Sequence, residues 1–311
     1  MPKPLPYNAT LLEREDMGPT LAIFRIRPDE MPAPGELWFE PGQYVSLGLN
    51  YEDSGEPSSV QRAYSIASEP EERRWLEFYV RCVAPPHSAY PFTHLLWEIG
   101  PGDRIHVGRR CTGHFTLNRS VGPGDARIKL FVAAGTGLAP FASMIRSRRR
   151  RLPTRSQGRF VLLHGARHAH ELGYREEMEP ALGEIQGHYL PTVSRPEANP
   201  RWTGAKGRVE SFLDGEKVEA LESRLGLAKG GLAPANAVVY VCGFKGTIAG
   251  SLDRLLCHGF VPADRRVRRV LEIPEVSPPS LFFEQYDTDP ILDPNDRERI
   301  ERLKSDLASS R

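Results

Sequence analysis

The fold of the second half of this chain is decided by Ile128-Lys129-Leu130-Phe131-Val132-Ala133-Ala134-Gly135-Thr136-Gly137-Leu138-Ala139-Pro140 (128–140). The mostly apolar residues 128–132 predict a buried strand, and Pro140 suits the first turn of a helix. The glycines of 135–137 let the backbone approach a ligand closely. Unpaired N–H groups at such a turn attract an anion, so the stretch is typical of a phosphate-binding turn. A plain tight turn is the alternative.

The chain after this turn alternates strand patterns with helix patterns. Strand candidates are residues 160–164, 188–193 and 238–242, and a helical, acidic segment surrounds Glu176. Strands that alternate with helices imply a parallel sheet. The sequence therefore predicts a doubly wound α/β domain over residues 123–274.

The first part of the chain has the pattern of an antiparallel β protein. Short apolar runs are separated by Pro and Gly, and in residues 76–83 apolar and polar side chains alternate. Many short strands without long helices predict a small β-barrel over residues 1–122. The remainder, 275–311, is predicted to be a C-terminal segment that carries an aromatic element and a surface helix.

Composition excludes several functional classes. The 311 residues carry a formal net charge of +1, which argues against a bulk nucleic-acid binder. No apolar run approaches the ~18 residues that span a bilayer, and no apolar signal core begins the chain, so we expect a cytoplasmic protein. The 4 cysteines form no Cys-x-x-Cys pair, and we predict no metal site.

A second stretch, Arg62-Ala63-Tyr64-Ser65, combines a cation, an aromatic ring and a hydroxyl on one extended segment. Arg62 can hold a phosphate through two parallel hydrogen bonds, and Tyr64 can lie flat against a conjugated ring. Ser65 can donate a hydrogen bond to a ring nitrogen. An ordinary strand with a surface arginine is the alternative. Together with the glycine turn, this stretch suggests electron transfer between two nucleotide cofactors.

These motifs, in this order and separation, resemble the ferredoxin–NADP reductase family, particularly its bacterial flavin-containing members. The likeness runs from about residue 40 to about residue 290. It also includes Pro91-Phe92-Thr93, His164-Gly165-Ala166-Arg167, Val193-Ser194-Arg195, Gly207-Arg208-Val209 and Cys242-Gly243-Phe244-Lys245-Gly246. Glu284-Gln285-Tyr286 resembles the family's C-terminal acid–x–aromatic element.

The resemblance implies a set of FAD-binding residues in this sequence. They are Arg62, Ala63, Tyr64, Ser65, Tyr79, Val80, Phe92, Thr93, Thr136 and Tyr286. Within this set, Arg62 is implied to hold the pyrophosphate, Tyr64 to lie against the isoalloxazine, and Ser65 to lie near flavin N5. Tyr286 is implied to stack on the other flavin face.

The resemblance also implies NADP-binding and catalytic residues. The NADP set is Gly135, Thr136, Gly137, Arg167, Ser194, Arg195, Arg208, Cys242 and Gly243, and the catalytic set is Ser65, Glu284 and Cys242. Two alternatives stay open: residues 282–286 as an edge strand that packs on the barrel, and Cys242 as a small buried hydrophobe.

Charge favours NADPH over NADH. A 2′-phosphate needs cations, whereas NAD sites usually present a carboxylate to the ribose. No carboxylate stands at position 194 or 195, and Arg195 and Arg208 follow a predicted strand. Two charge-assisted hydrogen bonds favour NADPH by roughly a hundredfold. Surface ion pairs of these arginines are the alternative.

The implied activity is that of an FAD-dependent ferredoxin (or flavodoxin)–NADP reductase, with hydride exchange between NADPH and flavin N5. The implied partner is an acidic ferredoxin or flavodoxin that binds transiently. Binding to nucleic acid or to a membrane is not expected. A reductase component that serves an oxygenase or haem protein is the first alternative, and a non-enzymatic nucleotide sensor is the second. The basic run 146–151 is either a solvated helix end or a docking patch for an acidic partner.

Overall fold

The computed structural model describes residues 3–33, 35–84, 91–151 and 158–310. The chain divides into two compact units. The first unit comprises Met1–Arg119 and Leu138–Leu152, and the second comprises Ser120–Gly137 and Pro153–Arg311. One unit contains an antiparallel sheet and the other a parallel sheet, which confirms the predicted two-domain fold class. The exact domain limits at 122/123 and 274/275 stay predictions.

The first unit is built on a six-stranded antiparallel sheet in the order β4-β3-β6-β1-β2-β5. Its strands are β1 (Ala9–Gly18), β2 (Leu21–Pro28), β3 (Tyr44–Asp53), β4 (Glu56–Ser65), β5 (Leu76–Arg81) and β6 (Arg104–Val107). Just beyond β4, the Ala67 N–H donates to the Glu77 carbonyl of β5 at 2.8 Å. The two outer strands therefore meet, and the sheet curls into a barrel.

The predicted alternation of buried apolar and exposed polar side chains in β5 is confirmed on the apolar face, whereas the opposite face also buries a charged residue. Leu76, Phe78 and Val80 lie in the barrel core, as a period of two requires. Glu77 is also buried, because its carboxylate pairs with Arg25 and Arg146. The helices of this part are α1 (Phe92–Glu98), α2 (Leu117–Ser120) and α3 (Ala139–Arg150).

The second unit contains a six-stranded parallel sheet in the order β10-β9-β8-β7-β11-β12. Its strands are β7 (Ile128–Ala134), β8 (Phe160–Ala166), β9 (His188–Val193), β10 (Ala205–Lys206), β11 (Ala237–Gly243) and β12 (Leu281–Gln285). The helices are α4 (Arg175–Glu184), α5 (Gly215–Arg224), α6 (Lys245–Leu255), α7 (Arg265–Val270) and α8 (Arg297–Ser309). Strands β7, β8, β9 and β11 are the four predicted from the sequence.

The order of these strands creates a topological switch point, which is the place in a sheet where the chain reverses the direction in which it adds strands. From β7 the chain moves outward to β8, β9 and β10, and it then returns to place β11 on the other side of β7. Connections therefore leave the carboxyl ends of β7 and β11 in opposite directions. Open α/β sheets bind ligands in the crevice at such a point.

The C-terminal residues complete the second unit. Ile300, Leu303 and Leu307 form the buried face of α8 and join the same apolar core as β7, β8 and β11. Arg268 of α7 donates to the carbonyl oxygens of Pro262, Glu275 and Ser277 at 3.0–3.2 Å, which fixes the proline-rich segment before β12. Over the described stretches, no helix combines the length and apolar character needed to cross a bilayer.

Candidate functional site

Four of the predicted flavin-binding residues, Arg62, Ala63, Tyr64 and Ser65, lie at the end of β4 in the first unit. Arg62 is exposed, and its Nη1 donates to the Gln61 carbonyl at 2.8 Å. The ring of Tyr64 packs against Phe92 with 5.4 Å between centroids. Burial raises the pKa of Tyr64, so the phenol keeps its proton at neutral pH. Ser65 is buried and ends the strand.

Two further pairs of predicted residues lie on β5 and at the start of α1. Tyr79 is buried, and the Val80 side chain belongs to the barrel core, so Val80 offers a ligand only its backbone. Phe92 and Thr93 are buried in the first turn of α1. The Thr93 hydroxyl accepts a hydrogen bond from the Val83 N–H at 3.2 Å, which anchors this turn.

The glycine turn after β7 is confirmed as a strand-to-helix connection in the second unit. Gly135 has a φ of +55°, and the position that a Cβ would occupy there is open. Gly137 has a different reason for being glycine. A Cβ at Gly137 would overlap the carbonyl oxygen of Cys242, so its small size lets the turn after β7 lie directly against the end of β11.

Five predicted residues meet at the carboxyl edge of β7, β11 and β12. Cys242 lies opposite Glu284 in the parallel register, and its thiol donates to Glu284 Oε2 over 4.0 Å. The Tyr286 hydroxyl donates to the Thr136 carbonyl at 3.2 Å, and the Tyr286 N–H donates to the Gly243 carbonyl at 3.1 Å. Glu284 and Tyr286 therefore lie beside the switch point. Residues 281–285 do form an edge strand, but in the parallel sheet.

The protonation state of Cys242 follows from its surroundings. Burial raises the pKa of the Cys242 thiol well above its ordinary value, and the charge of Glu284 raises it further. The group is therefore a neutral thiol at neutral pH. A thiol with that pKa is a hydrogen-bond donor at this edge of the sheet, and its nucleophilicity is low.

The predicted phosphate-binding arginines follow three adjacent strands. Arg167 follows β8, Ser194 and Arg195 follow β9, and Arg208 follows β10. All three arginines are exposed. Within the described residues no ion pair joins Arg167 or Arg195 to a carboxylate, whereas Arg208 Nε binds the buried Glu210 carboxylate. The ion-pair alternative thus applies to Arg208.

The basic run at the end of α3 is largely paired within the first unit. Arg146 binds Glu77 at 2.7 Å. Arg150 binds Glu69 at 2.6 Å and Arg151 binds Glu71 at 2.7 Å. These carboxylates belong to β5 and to the acidic segment after β4. These ion pairs therefore fasten α3 to the barrel.

Sequence reasoning missed two polar residues near the candidate site. Asp287 Oδ2 accepts the Lys245 N–H at 2.7 Å and caps α6 beside the switch point. The Asn199 side chain joins the loops that carry Arg167 and Arg195. Asp287 contacts Lys245 across 42 residues and Asn199 contacts Ala169 across 30 residues, so the local sequence gave no signal for either of these contacts.

These two groups of side chains have the chemistry that a flavin nucleotide and a phosphorylated dinucleotide require. An exposed guanidinium, a half-buried aromatic ring and a buried hydroxyl on one strand fit a flavin nucleotide. An open glycine turn and two exposed arginines at strand ends fit a phosphorylated dinucleotide.

Comparison with known proteins places this geometry among oxidoreductases. Residues 131–251 match the family model described as the oxidoreductase NAD-binding domain. Ferredoxin–NADP reductase B of Sorangium cellulosum is 34% identical over 230 residues, which cover 73% of this chain and 82% of that protein. The phenol hydroxylase P5 protein of Acinetobacter pittii is 26% identical over 267 residues. That match covers 85% of this chain and 65% of the P5 protein.

A solved structure supports the fold. The ferredoxin NADP+ reductase of Neisseria gonorrhoeae with bound FAD and NADP superposes with a TM-score of 0.67 at 24% identity. The superposition covers 90% of this chain and 98% of that chain. At this identity the likeness establishes the shared fold.

Proposed function

This chain belongs to the ferredoxin–NADP reductase family, and we propose that it is an FAD-dependent ferredoxin (or flavodoxin)–NADP reductase of the cytoplasm. As a member of the family it is a flavoprotein oxidoreductase that uses FAD and NADP(H). The FAD supplies the exchange between hydride transfer and single-electron transfer. The protein supplies binding, orientation and proton handling.

The observation that carries the proposal is the meeting of Thr136, Cys242, Glu284 and Tyr286 at one sheet edge. These residues come from chain positions up to 150 apart, yet hydrogen bonds and strand register bring them together. The edge is also the switch point of the parallel sheet, where ligands bind in this architecture. We assign this edge to the nicotinamide.

Three side chains of the edge have proposed tasks. Tyr286 covers the flavin face that the nicotinamide needs, and the residue is 36% exposed. Glu284 exchanges the proton that accompanies hydride transfer. Cys242 stays a neutral thiol and orients the reacting carbon of the nicotinamide.

Arginine side chains hold the phosphate groups of both cofactors. Arg62 binds the FAD pyrophosphate, because an exposed guanidinium can make two parallel hydrogen bonds to it. Arg167 and Arg195 bind the 2′-phosphate of NADPH. Arg208 contributes less, because Glu210 already accepts its Nε.

The decisive experiment is an absorption spectrum of the purified protein followed by anaerobic titration with NADPH and with NADH. We expect a yellow protein that NADPH bleaches at lower concentration than NADH. Colourless protein, or flavin that neither nucleotide bleaches, would support a non-enzymatic nucleotide sensor and reject the proposal.

A second candidate is a reductase component that delivers electrons to an oxygenase or a haem protein. It is favoured by the similarity to the phenol hydroxylase P5 protein across 85% of this chain. Reduction rates with purified ferredoxin, flavodoxin and cytochrome separate the two. Fast reduction of ferredoxin or flavodoxin supports the first proposal, and fast direct reduction of a haem protein supports the second.

A further inference from the structure

The loops after β8 and β9 are tied together by the side-chain amide of Asn199. Its Oδ1 accepts the Ala169 N–H at 2.9 Å. Its Nδ2 donates to the Arg195 carbonyl at 2.6 Å and reaches the Arg167 carbonyl at 3.5 Å. Nδ2 also lies 3.4 Å from His168 Nδ1. One side chain therefore contacts the backbone at both exposed arginines.

The local backbone places this amide. Pro196 begins a short 3₁₀ turn, Pro196–Ala198, and the Asn199 N–H closes it by donating to the Pro196 carbonyl at 3.0 Å. The turn reverses the chain, so the side chain of Asn199 reaches back toward Arg195. Across the strands, the Arg195 N–H donates to the Arg167 carbonyl at 3.2 Å. The two loops are thus joined by the backbone and by one amide.

The two arginines need such support. Both are exposed cations, so mutual repulsion and side-chain entropy oppose their convergence on one point. A phosphate dianion gains most from two guanidinium groups that are already close together, because less freedom is then lost on binding. Fixing the backbone at both residues reduces that loss.

Deepening the proposed use of NADPH, on which this inference rests, we propose that Asn199 is a positioning residue. It sets the spacing of Arg167 and Arg195 and so gives the preference for nucleotides with a 2′-phosphate. Asn199 itself is not proposed to touch the ligand. Its effect is therefore specific to ligands that engage both arginines.

The test is calorimetric binding of 2′,5′-ADP and of 5′-ADP to the FAD-loaded protein. In Asn199→Ala we expect about a tenfold weaker affinity for 2′,5′-ADP and less than a twofold change for 5′-ADP. Equal loss of both ligands would indicate a general structural role and overturn the proposal. Unchanged affinity for both would also overturn it.

A second variant covers the case in which Asn199→Ala folds poorly. Asn199→Asp still accepts from the Ala169 N–H but cannot donate to the Arg195 carbonyl, so it should lose at least as much 2′,5′-ADP affinity as Asn199→Ala. Retained discrimination in Asn199→Asp contradicts the proposal. Asn236→Ala is the matched control, because Asn236 Nδ2 donates to the Gly231 carbonyl at 2.9 Å beside the amino end of β11, and both affinities should stay unchanged.

Arginine variants separate this inference from the function on which it rests. Arg167→Ala and Arg195→Ala should each remove most of the preference for 2′,5′-ADP over 5′-ADP. If they do and Asn199→Ala does not, only the positioning role fails. If the arginine variants keep the preference, the assignment of the 2′-phosphate site fails as well.

Discussion

At the scale of single residues, Glu77 is the clearest case of a charge that the fold requires. Its buried carboxylate accepts from Arg25 Nε at 2.8 Å and from Arg146 Nη1 at 2.7 Å. Removal of one partner from a buried ion pair leaves a charge without compensation. Because the Glu77 carboxylate pairs with two arginines, its removal leaves both guanidinium groups without their buried partner.

We expect Glu77→Gln to lower the free energy of unfolding by about 3 kcal/mol, the usual cost of breaking a buried pair. Urea unfolding of the holoprotein measures the change. Glu13→Gln is the control: Glu13 pairs with the same Arg25, but its side chain is 54% exposed, so about 0–1 kcal/mol is expected. Equal effects of the two variants would show that Glu77 is no more important than a surface carboxylate.

His164 makes stability depend on pH. It is completely buried on β8, and this burial lowers its pKa to about 4, against a smaller opposing effect of the Gly135 backbone. The unfolded chain has the ordinary His pKa of about 6.5, so it binds a proton first as pH falls. The stability linked to His164 is therefore complete above about pH 6.5 and is lost progressively toward pH 4.

The expected size of this loss is about 3 kcal/mol between pH 7 and pH 4, from 1.36 kcal/mol per pKa unit. His164→Gln keeps a polar partner for Tyr189 but cannot titrate. Between pH 7 and pH 4 the free energy of unfolding of this variant should therefore fall by about 3 kcal/mol less than that of the unaltered protein. Urea unfolding at several pH values gives the comparison. Parallel curves for the two proteins would rule out a contribution of His164.

At the scale of elements, the C-terminal helix α8 belongs to the core of the second unit. Leu303 is 0% exposed and lies between Ile300 and Leu307 on the buried face. We expect Leu303→Ala to cost about 2–4 kcal/mol of stability, because it leaves a cavity that its neighbours fill only partly. Thermal unfolding measures it, and Arg302→Ala on the exposed face should change stability by less than about 1 kcal/mol. If α8 were peripheral, Leu303→Ala and Arg302→Ala would both change the unfolding temperature only slightly.

The elements also show what the sequence could predict. The strands β7, β8, β9 and β11 follow from short apolar runs, and the glycine turn after β7 follows from local chemistry. The short strand β10 has only two residues and thus no periodicity to detect. Pairing of Cys242 with Glu284 is set by parallel register between distant segments. The family resemblance implied a role for each of the two residues but did not predict their contact.

Polar partners were the hardest part of the site to predict. The ion pair of Arg208 with Glu210 matches the alternative that the sequence left open for this arginine, although the sequence did not name the partner. Asn199 contacts Ala169, 30 residues earlier, and nothing in the local sequence indicates that contact. Similarly, the basic run 146–151 was open to two interpretations, a solvated helix end or a docking patch, and the sequence did not indicate the carboxylates after β4 that pair with it.

At the scale of the whole molecule, the two units are not continuous in sequence. The segment Leu138–Leu152, which contains α3, belongs to the first unit although it follows strand β7 of the second. Ser143 Oγ donates to the Ser68 carbonyl at 2.7 Å, and Arg146 Nη1 donates to the Ala67 carbonyl at 2.9 Å. These bonds hold the chain where the barrel closes.

A fragment that ends at residue 122 therefore lacks part of the barrel's own support. We expect the 1–122 fragment to unfold without a cooperative transition and to lose FAD, because Glu77 and the carbonyls of Ser68 and Ala67 lose their α3 partners. Circular dichroism on heating and the flavin absorbance after gel filtration give the measurements, with the full chain as the reference. The predicted boundary at 122/123 is tested by the same experiment. A stable yellow fragment would establish it as the limit of an independent domain and would show that α3 is dispensable for the barrel.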